Sequence, residues 1–443
     1  MPGAPRKQPE PSGPGSGADL YALCQRLYPI VRSITGNGVR ETLRILHEHI
    51  DLDIHEVPSG TRVFDWTVPM EWNVSEAHVT SDTGQRVIDL RDHSLHLVSY
   101  SEPVRTRVTL EQLQAHLHSL PEHPDWIPYR TSYYSPSWGF CLQHTRRLAL
   151  QPGSYDVVID ASLQPGSLTY GEFVVPGESS REMLISTHIC HPSLANDNLS
   201  GIAVATMLAK SLALRSRRPH YTYRFLFIPA TIGAITWLAR NEARARLAIG
   251  GLVLSGIGDA GPLTYKRSRA GNSTTDRVLE RVLRRTTGDH RIEDFSPYGY
   301  DERQFNSPGI NLPVGCLMRT PFGRYPEYHT SADNLDLVTG PALAQALAVC
   351  STALDELDLV RTFTNLAPHC EPQLGRRGLY DDLGGDNDRK SAQMALLWLL
   401  SYSDGKHSTL DISDKSGLSL EILDRAAARL QAAGLLGPHR PGD

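Results

Sequence analysis

The sequence predicts an α/β fold: a mostly parallel sheet covered by helices, interrupted by a small β-rich insertion and followed by a winged-helix module. Three observations predict it. Apolar runs that read as buried strands alternate with helical segments between residues 155 and 254, the order that produces parallel, covered sheets. Residues 61–150 instead show short alternating stretches broken by turn residues and rich in aromatics. Residues 391–437 repeat the helix, turn, helix, terminal Gly-Leu-Leu-Gly layout of a winged helix.

The 443 residues exceed one ordinary core, and 40% hydrophobic with 21% charged content is that of a globular chain. A net charge of −5 argues against a general nucleic-acid or anionic-membrane binder, and no apolar run reaches a membrane span of about 18 residues. Six scattered cysteines without a C-x-x-C pair read as reduced thiols, which makes the cytoplasm the expected compartment.

In chain order, residues 1–18, rich in Pro, Gly and Ser, read as a disordered leader. Leu20, Leu23, Leu27, Ile30 and Ile34 keep helical spacing, Gly36-Asn-Gly breaks it, and Val39 to Ile50 resumes it. Asp53 to Val57 alternates like a strand. Residues 19–60 and 151–365 are assigned to the α/β body and 61–150 to the insert, with strands expected around Val63 to Val68, Ala77, Gln85 and Leu95 to Tyr100. The insert's aromatics, among them Tyr133, Tyr134 and Trp138, either line a pocket or form its core. The body resumes with Tyr155 to Asp160 and runs through strands near Met183, Tyr223 and Gly251 to a long helix from Pro341 to Val360. Residues 366–390, with Pro368, Pro372, Gly375 and Gly378, read as a linker. The winged-helix stretch from 391 to 436 holds Lys406, Lys415, Arg425 and Arg429 against Asp404, Asp411, Asp414, Glu421 and Asp424. A groove-reading helix is normally basic, so protein contact or homo-oligomerisation is expected of it, not nucleic-acid binding.

The chemistry gathers in four places. Leu184 to Gly201 runs from a buried strand through a loop carrying His188, Cys190, His191 and Asp197 into a helix. The others are Pro229-Ala-Thr-Ile-Gly, Gly256-Ile-Gly-Asp259, and Tyr328-His-Thr-Ser-Ala-Asp-Asn-Leu-Asp around His329. Three of the four follow predicted parallel strands, where open α/β sheets bind ligands. Imidazole with carboxylate suits zinc. Cys190 reads as a small apolar filler and His191 as a supporting residue. Glu302 is a candidate carboxylate, and Arg319, Arg324 and Tyr325 are candidates for gripping a substrate carboxylate or for surface pairing.

His188…Ala195-Asn-Asp-Asn-Leu-Ser-Gly with Tyr328-His-Thr-Ser-Ala-Asp-Asn-Leu-Asp resembles the zinc exopeptidases that include bacterial leucyl aminopeptidases and glutaminyl cyclases. Over residues 19–437 the chain more closely resembles an uncharacterised aminopeptidase-like family with a nested β domain and a C-terminal winged helix. The resemblance implies a zinc-exopeptidase-like sheet and one or two zinc ions held by His188, Asp197, Asp259 and His329. It also implies a cis peptide between Asp197 and Asn198, with Asp333 or Asp336 orienting His329. It implies hydrolysis of a peptide or aminoacyl amide, in which a carboxylate takes a proton from water. The chain departs from the pattern where the related sequences read Pro-Glu-Thr-Ile-Gly: position 230 is Ala. Ala230 has no side-chain oxygen, so neither role open to that Glu, general base or metal ligand, survives; it reads as an engineered inactivation of a hydrolase, against a natural loss in a protein that binds rather than cleaves. The alternatives are a peptide or small-molecule binding protein that keeps the fold without cleaving, and a regulator acting through the winged helix.

Overall fold

An eight-stranded sheet forms the frame of the larger unit of the computed structural model, which describes residues 15–379 and 386–439. In chain order its strands are β1 (Asp53–Pro58), β2 (Ser167–Val175), β3 (Glu182–His188), β4 (Thr222–Ile228), β5 (Ala248–Leu254), β6 (Leu263–Lys266), β7 (His290–Glu293) and β8 (Val314–Met318). Their order across the sheet is β1-β2-β4-β3-β5-β8-β6-β7. The four central strands β4, β3, β5 and β8 are mutually parallel, β6 and β7 pair parallel with each other, and β1, β2 and the β8–β6 step add antiparallel pairs. The fold class is therefore the mixed, mostly parallel one the sequence predicts. All seven residues of β3 are buried, as expected of a central strand covered on both faces.

Helices begin where the sequence supplies caps. Gly17–Leu27 starts on a capping box between Ser16 and Asp19, and Thr274–Thr286 on one between Ser273 and Asp276. The first helix thus takes in Gly17 and Ala18 of the expected leader, while residues 1–14 of that leader lie outside the described residues. Asn37–His47, Gly201–Ala213, Ile232–Arg240 and Gly340–Leu359 complete the main helices of the body.

The inserted sheet contains Glu71–Ser81, Arg86–Asp89, Val104–Thr109 and Ser154–Gln164. Its last member corrects the assignment of Tyr155 to Asp160 to the body. Ser154–Gln164 pairs with Glu71–Ser81 and Val104–Thr109, because its one-sided alternation fits either sheet and only pairing decides. Leu95 to Tyr100 is also corrected: it is a short 3-10 turn at Ser94–His96 followed by loop. Every residue from Ser94 to Tyr100 is buried, so the alternation marks no exposed face.

The chain divides into two units between Ser351 and Thr352, within the helix Gly340–Leu359. The second unit packs helices Asp386–Tyr402, Thr409–Ser416 and Leu420–Ala432 around Leu396, Leu399, Leu423 and Leu430. Its antiparallel sheet joins Asp404–Ser408, Thr362–Asn365 and Leu436–Pro438. Thr362–Asn365 is therefore part of this module rather than of the body. Part of the expected linker, 380–385, lies outside the described residues. All six cysteines are unpaired. Among the described residues, no helix is long and apolar enough to cross a membrane.

A buried ion network ties the sheet together at the base of β3. Arg224 on β4 donates to Glu182 through Nε and Nη2 at 2.8 and 2.9 Å, and to Glu172 on β2 through Nη1 at 2.7 Å. The indole of Trp237 donates to the other oxygen of Glu172. Removing one member of such a group strands the remaining charges. Arg224→Met is expected to lower stability by about 3–5 kcal/mol in urea unfolding, since it takes the guanidinium away from two buried carboxylates.

Candidate metal centre

β3 ends at His188, and the chain then turns through a buried loop into the distorted turn Ala195–Ser200 and the helix Gly201–Ala213. Each residue of Asn196-Asp-Asn-Leu-Ser-Gly except Leu199 has a polar or steric task. Asn196 Oδ1 accepts from Gly258 N at 2.8 Å, and its Nδ2 donates to Asp259 Oδ2 at 2.9 Å. Asn198 donates to Thr187 Oγ1 and His188 O at 2.8 and 3.0 Å, and accepts from Gly256 N. Ser200 Oγ donates to Asn196 O at 2.6 Å and accepts from Ile257 N at 2.9 Å. A Cβ at Gly201 would collide with Asn198 Oδ1 and Leu254 O, so only glycine fits. The Asp197–Asn198 peptide is cis, as the resemblance implies, and so is Ala230–Thr231.

The loop delivers Asp197, fully buried, to the imidazoles. His188 Nε2 lies 2.9 Å from Asp197 Oδ1, His329 Nε2 lies 3.1 Å from Oδ2, and His191 Nε2 lies 4.0 Å from Oδ2. Burial opposes the charge on Asp197, but His191, His188 and His329 outweigh it and hold the carboxyl well below its usual range. Burial pushes His191 down to about 3, against the pull of the Asp197 carboxylate. Aromatic rings fix the imidazoles: Tyr300 stacks on His188 at 5.4 Å, and Tyr328 on His329 at 4.0 Å.

Among the described residues, the His/Asp group whose ligand atoms lie within 4.8 Å of one another is His188, His191 and Asp197. His191, set aside in the sequence reading as a supporting residue, thus sits at the centre, and the only local signal for it was its place three residues after His188. Asp259 does not join the group. Its two oxygens accept from Asn196 Nδ2, Gly261 N, Thr320 N and Thr320 Oγ1, so it braces the loop. Asp333 serves the loop as well, not His329: it accepts from the amides of Asn196 at 2.6 Å and Asp197 at 3.0 Å. Asp336 is exposed.

Ala230 lies two residues past the end of β4, and its carbonyl faces Cys190 Sγ at 3.7 Å. Burial pushes the Cys190 thiol up to about 12, the behaviour of an inert filler. Glu302 is buried and paired with Lys266 Nζ at 2.8 Å. Its neighbour Asp301, which sequence reasoning passed over, is buried with Oδ1 lacking a hydrogen-bond partner among the described residues, and burial pushes it up to about 7.

The proposed substrate grips have other tasks in this conformation. Arg319 donates to Ile257 O, Gly261 O, Ala342 O and Gln345 Oε1. Arg324 pairs with Glu293 at the surface, and Tyr325 packs edge-on to Tyr328. Of the insert's aromatics, Tyr133 OH bonds Tyr129 OH at 2.8 Å, Tyr134 is half-exposed and donates to Thr67 O, and Trp138 stacks on His116.

Residues 21–359 match the family described as a domain of unknown function, DUF4910, and residues 361–438 match a winged helix-turn-helix family. The chain belongs to the DUF4910 family. A Clostridium acetobutylicum relative, provisionally named a polysaccharide biosynthesis protein with an aminopeptidase-like domain, is 48% identical over 421 residues, covering 95% of this chain and 96% of its own. A crystal structure from the same organism, provisionally named a peptidase, superposes with a TM-score of 0.84 at 47% identity over 95% of this chain and 96% of that one. A zinc aminopeptidase from Bacillus subtilis shares the fold at 13% identity and a TM-score of 0.56, over 80% of this chain and 96% of that one. The family's body therefore has an aminopeptidase-like fold, followed here by a winged helix.

Asp333→Ala would leave two buried amides without acceptors, at about 1–3 kcal/mol each. It is expected to lower stability accordingly and to speed hydrogen exchange at Asn196 and Asp197, while Asp333→Asn, which keeps one acceptor, does less.

Proposed function

We propose that this chain is built as a zinc-dependent aminopeptidase-like hydrolase acting on a peptide or aminoacyl amide. The observation that carries the reading is the convergence of His188, His191 and His329 on the buried carboxylate of Asp197. Neutral imidazole nitrogens and a carboxylate oxygen are donors that zinc takes, and the side chain of Asp197 faces these rings rather than backbone amides. His188, His191, Asp197 and His329 would hold the ion. Bound zinc supplies a Lewis acid that polarises a carbonyl and acidifies water. The names of the relative and of the two structures support the reaction class by similarity.

What the chain's own residues do is orient and exclude. Tyr300 and Tyr328 fix the planes of His188 and His329, and Tyr133, Tyr134 and Trp138 of the insert would meet a substrate side chain. No side chain at position 230 can accept a proton. Loss of a general base typically lowers rate by on the order of 10²–10⁴, so the chain with Ala230 is a binder that turns over slowly. We assign the winged-helix module to protein contact, because its charges are balanced rather than basic.

Elemental analysis of dialysed protein is expected to find zinc in the parent chain. Ala230→Glu is expected to raise hydrolysis of chromogenic aminoacyl amides by about 10²–10⁴. Zinc binding with no gain in hydrolysis across such a panel favours the non-catalytic binding protein instead. Absence of zinc from both forms removes the hydrolase reading.

A further inference from the structure

We propose that the segment Ile127–Tyr129, which belongs to the inserted region, is a working part of the metal centre and that Tyr129 is a positioning residue for His329 and His191. The inference rests on the reading that zinc binds at these imidazoles.

His329 sits at φ +57°, in the left-handed region that an L side chain rarely adopts. Such a conformation persists only where its surroundings over-determine it. A local turn supplies one restraint, from Thr330 N to Glu327 O at 3.0 Å. Thr330 Oγ1 also donates to Glu327 O at 2.8 Å, and Asp333 N to Thr330 O at 3.1 Å. Further restraints come from the insert. Tyr129 N donates to His329 O at 2.8 Å, and Ser331 N to Ile127 O at 2.8 Å. Ile127 N donates to Ser331 Oγ at 2.9 Å, and Pro128 forms an antiparallel bridge with Thr330. Pro128 has no N–H, so the side-chain acceptor Ser331 Oγ and the donor at Tyr129 flank it on either side.

The rings complete the clasp. Tyr129 stands edge-on to His329 at 5.1 Å and 89°, and to His191 at 5.3 Å and 61°. Tyr328 stacks on His329. One buried side chain thus sets the spacing of two of the three imidazoles around Asp197. Its own position is fixed by Tyr133, whose hydroxyl lies 2.8 Å from that of Tyr129, and Tyr134 continues to Thr67 of the exposed hairpin Arg62–Thr67. The aromatic loop is therefore continuous from the surface to the ligands.

A residue that only fills the core would change folding stability and leave zinc affinity alone. The test is competition for zinc against a chromophoric chelator, read beside thermal unfolding of the metal-free protein. Tyr129→Ala is expected to weaken zinc binding about 10–100-fold, the usual effect of losing a ligand's support. Tyr129→Phe keeps the ring and is expected to stay within about threefold of the parent. Tyr155→Phe removes a hydrogen bond from the hydroxyl to Gln151 O elsewhere in the insert and is expected to leave zinc affinity unchanged. If Tyr129→Ala does not fold, Ser331→Ala decides: it removes the acceptor for Ile127 N and is expected to weaken zinc several-fold. Parental affinity in a folded Tyr129→Ala, or in Ser331→Ala where that variant decides, overturns the proposal while leaving the zinc reading intact. A parent chain that holds no zinc overturns both.

Discussion

The carboxylate of Asp197 is a fully buried charge, and the architecture of the site follows from the need to stabilise it. An ionised carboxylate taken out of water is strongly disfavoured unless paired. His188, His191 and His329 supply the pairing from two loops 132 residues apart for the most distant partner. None of the three can move far without leaving that charge exposed to an apolar interior. The sheet supplies the fixed point: β3 is buried along its whole length and ends on His188.

Around that centre, acidic side chains with similar sequence credentials take different tasks. Asp333 accepts from the consecutive amides of Asn196 and Asp197 and so holds the loop. Asp259 binds Asn196 and Thr320, linking the ends of β5 and β8 to the same loop. Glu302 neutralises Lys266. Asp301 is the exception, with a buried oxygen that no described donor meets. Of these five acidic residues, only Asp197 accepts from imidazoles, which is why it and not its neighbours defines the centre.

Much of the frame could be read from local pattern. The helical spacing of Leu20, Leu23 and Leu27 marks a real helix, and the all-apolar stretch around Met183 marks the central strand. The errors fall where local pattern is ambiguous. Ser154–Gln164 alternates as an inserted strand and as a body strand alike, and its partner lies some 80 residues earlier in the chain. Leu95 to Tyr100 alternates yet is buried on all sides, because loops and the Tyr129 segment cover what a partner strand would otherwise cover.

By itself the sequence determined the fold class and the strand that leads to His188, and the motifs around Asp197 and His329 carried the resemblance that implied the two as partners. These rest on apolar periodicity and on dense local motifs, which are properties of neighbouring residues. Tertiary structure alone decided that His191 enters the group while Asp259 does not, that Arg319 serves carbonyls, and that Tyr129 of the insert clasps His329. Those outcomes depend on which hydrogen-bonding atoms are already satisfied by distant backbone. That is a property of how segments far apart in the chain pack, and residue type and spacing do not carry it.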